Sequence, residues 1–403
     1  MAIPAQRTNT WTLDEWYDQA VAGTTGGYQV SKELYAWGAN HDGQLAQNNL
    51  TLKSSPVQVP GTTWSVLGST SSVYGTCYAI KQDGTFWAWG SNSSYGLVGN
   101  SSSTNVSSPI QLPGTTWKAV FGGRNTALAS KTDGTLWNWG YNPEGGLGQN
   151  NRTAYSSPKQ LGAGTDWVGT TATIAAGEGS QAAIKTDGTL WTWGQSYRGE
   201  TAHNNRVHSS SPTQIPGTTW RDVKIGGRIF LATKTDGTLW TCGAGYQGAL
   251  AQNSETYYSS PVQIPGTAWR SVGDYSYSGY AAFATKTDNT LWAWGYNAFG
   301  ALGQNEQGGP TSRSSPTQIP GTNWEHYAVG FNGGTGEPNV FATKTDGTLW
   351  SWGANQGDYK GGLGQNDINS RSSPTQIGTD TDWFSEQGSF TAGGSWAAAT
   401  KAP

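Results

Sequence analysis

The 403-residue chain carries 26 acidic residues against 23 Lys and Arg, a net charge of −3, and only 12% of its residues are charged. That balance argues against a nucleic-acid partner, which needs a basic excess to displace counterions, and no apolar run approaches the roughly 20 residues that insert across a membrane. Gly at 58 makes the chain turn-rich, but 22 Trp and 18 Tyr exclude a disordered Gly/Ser polymer.

The first ten residues lack the apolar core of a signal peptide. Thr12-Leu13-Asp14-Glu15 reads as a capping box, with Thr12 as N-cap and Glu15 at the third helical position. It opens a short predicted helix through Trp16, Tyr17 and Val21 that Gly23 ends. Residues 1–30 therefore form an expected N-terminal arm. Its aromatic side chains Trp11, Trp16 and Tyr17 either dock on the chain's own body or anchor it to something else.

From Ser31 onward one pattern repeats. Lys131-Thr132-Asp133-Gly134-Thr135-Leu136-Trp137-Asn138-Trp139-Gly140 recurs from Lys185, Lys234, Lys286 and Lys344, and more loosely from Lys81. Asp-Gly between alternating strand-formers predicts a β-hairpin, read here as a two-residue turn with positive φ at both central positions. A long loop follows, such as Tyr141 to Asn150, then Ser-Ser-Pro, a short strand, Pro-Gly-Thr and a Trp. Each unit thus holds four short strands. The units lie 49 to 58 residues apart, measured between Trp37, Trp89, Trp139, Trp193, Cys242, Trp294 and Trp352. Seven such units predict an all-β, seven-bladed β-propeller with four-stranded antiparallel blades over residues 31–403. The segment Glu33 to Gly38 lacks the first half of a hairpin, and Gly393 to Lys401 supplies it. Pairing of these two segments would close the ring and leave no open edge.

The ordered run of Asp-Gly-Thr-Leu-Trp, Gly-x-Leu-Gly-Gln-Asn and Ser-Pro-x-Gln-Ile resembles the regulator of chromosome condensation repeat, a family whose fold is a seven-bladed propeller. The resemblance spans residues 31–403. The eukaryotic repeats usually place a His after the last Gly pair, where this chain has Asn125, Gln181 or Trp396. No insertion resembles the wedge that the chromatin-bound exchange factor uses on its small GTPase, and no basic tail is present. The resemblance implies the fold and not that function.

Nineteen of the 22 tryptophans sit at recurring positions, seven after Pro-Gly-Thr or its equivalent and twelve in the Trp-x-Trp pair, so they read as packing between blades rather than as a sugar-binding surface. At Cys242 the second Trp is lost, which predicts a loosened fifth unit. Cys77 and Cys242 read as buried thiols in preference to a disulfide. The histidines His41, His203, His208 and His326 lack metal-ligand spacing, no cofactor motif is present, and one carboxylate per tight turn is a poor calcium cage. No catalytic motif is found. Glu200 with Glu178 or Asp187 could form a glycosidase pair only at a separation of roughly 5 to 9.5 Å.

The binding candidates are the places where the repeat is broken. These are Glu200 and His203 in the fourth unit, Tyr275, Tyr277 and Tyr280 in the sixth, Tyr359 in an insertion of the seventh, and the arm residues Trp11, Trp16 and Tyr17. Insertions at 306–311, 331–338 and 356–361 favour units five to seven as the binding face. A Ser/Thr/Asn/Gly-rich, weakly charged exterior without an export signal suggests a non-enzymatic bacteriophage virion protein of tail or capsid surface. In that reading the arm docks to other virion proteins and the propeller binds a host-surface protein or glycan. The alternative is a propeller outside any particle that binds a protein or glycan partner; a glycan-active enzyme is a third reading.

Overall fold

A computed structural model describes residues 31–70, 75–92, 95–273, 281–332, 337–355, 361–386, 388–393 and 396–403. The chain divides into two compact units, Met1–Ser31 and Lys32–Pro403, and the second is the propeller. The arm and its expected helix lie outside the described residues.

The described strands form seven sheets, each built on four antiparallel strands; six take theirs in sequence order, and one joins the first two strands to the last two. Blade 3 shows the plan, with Trp117–Gly122, Thr126–Lys131, Leu136–Gly140 and Tyr155–Gln160 running from the axis to the rim. The innermost three strands are mostly buried, whereas the rim strand is half exposed. Blades are numbered by their third strand, from Glu33–Gly38 in blade 1 to Leu349–Gly353 in blade 7. Blade 1 closes the ring as expected, with Glu33 opposite Lys401 and Gly38 opposite Trp396. A two-residue strand, Ser69–Thr70, also runs parallel to the inner strand of blade 3.

The hairpin turn differs from the sequence expectation. Gly134 N–H bonds Lys131 O at 3.1 Å and Lys131 N–H bonds Thr135 O at 3.0 Å, so the loop has three residues. Gly134 has φ +79°, but Asp133 does not share the left-handed region. This is a type I turn closed by a left-handed bulge residue. The Asp133 side chain is then free to bond within the turn. Its Oδ1 accepts from the Thr135 N–H and hydroxyl, and Thr135 Oγ1 accepts from Trp137 Nε1. Lys131 Nζ lies 4.7 Å and 4.1 Å from the rings of Trp117 and Trp137, a cation–π contact with each. The same Asp–Thr–Trp chain recurs at Asp83, Asp187, Asp236, Asp288 and Asp346. In all of them hydrogen bonding, the Thr hydroxyl first, holds the carboxyl below its usual range.

Neighbouring blades are joined at the opposite end. Gly145 has φ +80°, and a Cβ there would lie 2.5 Å from Ser210 Cβ of blade 4, so the position tolerates only glycine. Asn150 N–H then bonds Ser210 O at 2.7 Å. Equivalent bonds from residues 48, 101, 204, 253, 305 and 366 reach the serines of the next Ser-Ser-Pro and complete a belt around the ring. In several blades the second Trp of the pair completes the joint. Trp139 Nε1 donates to Leu97 O of blade 2, Trp294 to Ala249 O, Trp352 to Ala301 O and Trp37 to Gly362 O. Every one of these four indoles is wholly buried, which bears out their reading as packing between blades.

Candidate functional site

The fourth blade's broken loop is structural. Glu200 is 1% exposed and accepts the Arg198 N–H at 2.7 Å, the bond that Gln44 makes to the Asp42 N–H in blade 1. Burial raises its carboxyl above the usual range, and the N–H groups of Glu200, Arg198 and Tyr197 offset part of that rise. His203 Nε2 lies 2.9 Å from Thr192 Oγ1, which itself donates to Thr201 O. Gln149 bonds Asn138, and Gln365 bonds Ser351, in the same positions of blades 3 and 7. Burial lowers the His203 imidazole. Both residues therefore repeat their neighbours' work with different side chains, and neither reaches outward as a binding group.

The three carboxylates weighed as a glycosidase pair each have partners of their own. Glu200 is turned into its own loop, Glu178 is bridged to arginines, and Asp187 sits in a hairpin at the other end of the blade. Near the middle of the axis, described residues of several blades meet. Gly388 of blade 1 packs between Val66 of blade 2 and Thr171 of blade 4, and Lys224 Nζ donates to Thr171 O while lying over the Phe121 ring. Beside them His326 is pushed down to about 3 by burial, then by Lys224 and Arg270, so it stays neutral near pH 7. A cavity of about 470 Å³ between blades 7 and 1 includes Tyr35, Asp380, Trp383 and Lys401 in its wall. Its polar groups are engaged: Lys401 bridges Asp380 and Asp382, and Tyr35 donates to Glu33.

The two cysteines are separate buried thiols, as expected, with burial pushing both well up. Blade 5 is not loosened by Cys242. Phe230, opposite it in the sheet, supplies the ring against Trp220 at 6.3 Å, and Cys242 Sγ reaches Gly199 O of blade 4 at 3.4 Å.

Trp11, Trp16, Tyr17, Tyr275, Tyr277, Tyr280 and Tyr359 lie outside the described residues. Among the described residues, the exposed tyrosines and the ring that packs on one of them lie on the face that bears the long loops, over blades 2 to 5. Tyr141, Tyr197 and Tyr246 are 37%, 48% and 44% exposed, unusual values for rings of this size. Tyr95 stacks on Tyr141 with centroids 4.2 Å apart, and Tyr197 meets His208 edge-on at 4.5 Å. Nearer the axis, Arg124 of blade 3 holds Glu178 of blade 4 at 2.5 Å, and Arg228 of blade 5 lies 3.8 Å from the other carboxylate oxygen. Weighing insertions in the sequence points instead to blades 5 to 7. The signal for blades 2 to 5 lies in the two variable positions before the fixed glycine of each loop, where Tyr95 directly precedes Gly96 and Tyr197 and Tyr246 stand two residues before Gly199 and Gly248.

Residues 288–332 match the family model described as Regulator of chromosome condensation (RCC1) repeat. Over those residues the chain is similar to an RCC1 repeat. Human WBSCR16 superposes with a TM-score of 0.74 at 17% identity, covering 92% of this chain and 98% of that one. Prp20p from Saccharomyces cerevisiae, whose structure is described with its binding properties to Gsp1p and histones, gives 0.75 at 16% identity, covering 93% and 92%. Yeast RCC1 (Prp20) bound to Kap60 gives 0.73 at 15% identity, covering 100% and 95%. At such identities the RCC1-type likeness establishes the seven-bladed fold, and the function has to be argued from this chain's own surface.

Proposed function

We propose that the protein is a non-catalytic, protein-binding RCC1-type propeller that takes its partner on the loop face of blades 2 to 5. The observation that carries this is the grouping of exposed tyrosines with an arginine cluster on one face of a rigid ring. Tyr and Arg are the residue types in which interface binding energy concentrates, because each offers a large contact surface with directed donors. One structural relative, yeast Prp20, is described with protein partners in two structures, which supports this use of the fold. The opposite face has less to offer, since its hairpins bind their own Asp, Thr, Trp and Lys groups.

A place in a virus particle, with the arm as anchor and a host-surface protein or glycan as target, rests on composition and on residues outside those described. The partners named for the relatives are cellular proteins, which favours a propeller that binds a partner without a particle. The test is photo-crosslinking from a benzoylphenylalanine placed at Tyr141, Tyr197 or Tyr246, with Thr186 and Thr235 on the hairpin face as controls. A defined protein adduct is expected from the loop face alone. Adducts only from the hairpin face, or from neither, would sink the proposal.

A further inference from the structure

We propose that Arg124, Glu178 and Arg228 form a carboxylate-binding notch for an acidic segment of a protein partner, in which Glu178 is the chain's own stand-in for the partner's carboxylate. This rests on the reading of the loop face as the partner surface. The three side chains stand on the inner hairpins of blades 3, 4 and 5, and those hairpins are locked to one another by backbone. Arg124 N–H bonds Gly177 O at 3.1 Å, and a Cβ on Gly177 would lie 3.2 Å from Gly226 Cα. The notch is therefore held by rigid elements rather than by loose loops.

Its occupancy is unequal. Arg124 grips one oxygen of Glu178 at 2.5 Å, whereas Arg228 reaches the other only at 3.8 Å and keeps 42% of its side chain exposed. Arg228 also has φ +89°, a left-handed conformation that costs a non-glycine residue energy and that persists only where surrounding structure enforces it. A second carboxylate arriving from outside meets an exposed planar guanidinium whose contact with Glu178 is long.

The wider face has the matching sign. The loops and inner hairpins of blades 3 to 5 carry Arg124, Arg152, Arg198, Arg206 and Arg228 and no lysine, against Glu144, Glu178 and Glu255, with Glu200 buried. In a protein of net charge −3 this is a local positive excess. An acidic protein segment is the occupant it complements, both in approach and in docking.

The experiment is fluorescence anisotropy of a labelled hexaglutamate peptide with the full chain at about 20 mM and about 150 mM salt. Hexalysine and inorganic phosphate serve as comparison ligands. Hexaglutamate is expected to bind and hexalysine not to, with the affinity falling as salt rises. Arg124→Gln and Arg228→Gln should each weaken binding about tenfold. Glu178→Gln should tighten it about three- to tenfold, because an internal competitor is removed. That sign is the discriminating readout: a merely structural Glu178 would leave affinity unchanged or lower it. Unchanged or weaker binding in Glu178→Gln, arginine variants equal to wild type, or phosphate displacing the peptide at equal concentration would overturn the proposal. If Glu178→Gln does not fold, the half-exposed Arg228→Glu replaces it, expected to abolish hexaglutamate binding with the thermal midpoint unchanged; retained binding overturns the notch. Partner crosslinks from Tyr197 with a hexaglutamate response that ignores all three residues would keep the loop face and discard the acidic partner. Hexaglutamate binding that depends on the three residues, with no adduct from any loop-face tyrosine, would keep the carboxylate site and discard its use by a protein partner.

Discussion

The junctions on either side of blade 5 solve one packing problem in two ways. Between blades 5 and 6, Trp294 fills the gap, donates to Ala249 O at 2.9 Å, faces Ala282 across its sheet and meets Trp269 at 6.3 Å. Between blades 4 and 5 the same position is Cys242, the residue opposite is Phe230, and Glu200 stands where Ala249 stands. The bulk of one indole has been divided, part moving across the strand pair and part across the blade boundary. Cys242 and Glu200 are both essentially inaccessible, so the space is filled. The lesson is that three apparent departures from the repeat are one compensated change.

Four variants can break or sharpen that comparison. Trp294→Ala should cost about 3–5 kcal/mol in urea unfolding, since nothing beside it can refill the gap. A loss below about 1 kcal/mol would show that this junction is as adaptable as its neighbour. Cys242→Trp should destabilise by about 1–3 kcal/mol through overpacking. Adding Phe230→Ala and Glu200→Ala should restore most of that loss, and the departure from additivity is the measurement. Strictly additive effects would mean that the three positions are unrelated.

Glu200→Gln should be nearly neutral at pH 4 and stabilising by about 1 kcal/mol at pH 7. The sign follows from burial: the folded carboxyl binds its proton more tightly than the unfolded one, so wild-type stability falls as pH rises from the ordinary carboxylate value through the raised one. Gln44 shows that an amide can make the same bond. A gain that persists unchanged to pH 4 would contradict it. The smallest effect lies on the hairpin face. Thr135→Val should cost about 1 kcal/mol by removing the hydroxyl that joins Asp133 to Trp137. Because the folded Asp133 carboxyl is held below its usual range, its contribution is present above the unfolded value of 3.8 and is lost as pH falls through the lowered one. The variant should therefore show a shallower acid limb.

The strand order and the closing of the ring are legible in the sequence because a period repeated seven times averages out local ambiguity. The turn type is not. Asp-Gly suits both a two-residue mirror-image turn and a bulged three-residue turn, and only the hydrogen bonds of Lys131 and Gly134 separate them. The meaning of Glu200 and His203 is hidden for a related reason: sequence shows that a letter has changed, whereas geometry shows that Glu and His still make the bonds of Gln. Tyr141 and Tyr197 escape notice because aromatic residues in so Trp-rich a chain read as packing until their exposure is seen.

The seam between Glu33–Gly38 and Trp396–Lys401 has a consequence in time. On the ribosome the strand of blade 1 that is made first must wait for almost the whole propeller before its partner emerges, roughly 20 to 70 s at about 5–20 residues per second. Until then blade 1 presents an open edge and the ring is an arc. Blades 2 to 7 can complete their own sheets as they are synthesised. The interval before the last strand arrives is thus when a chaperone has most to protect.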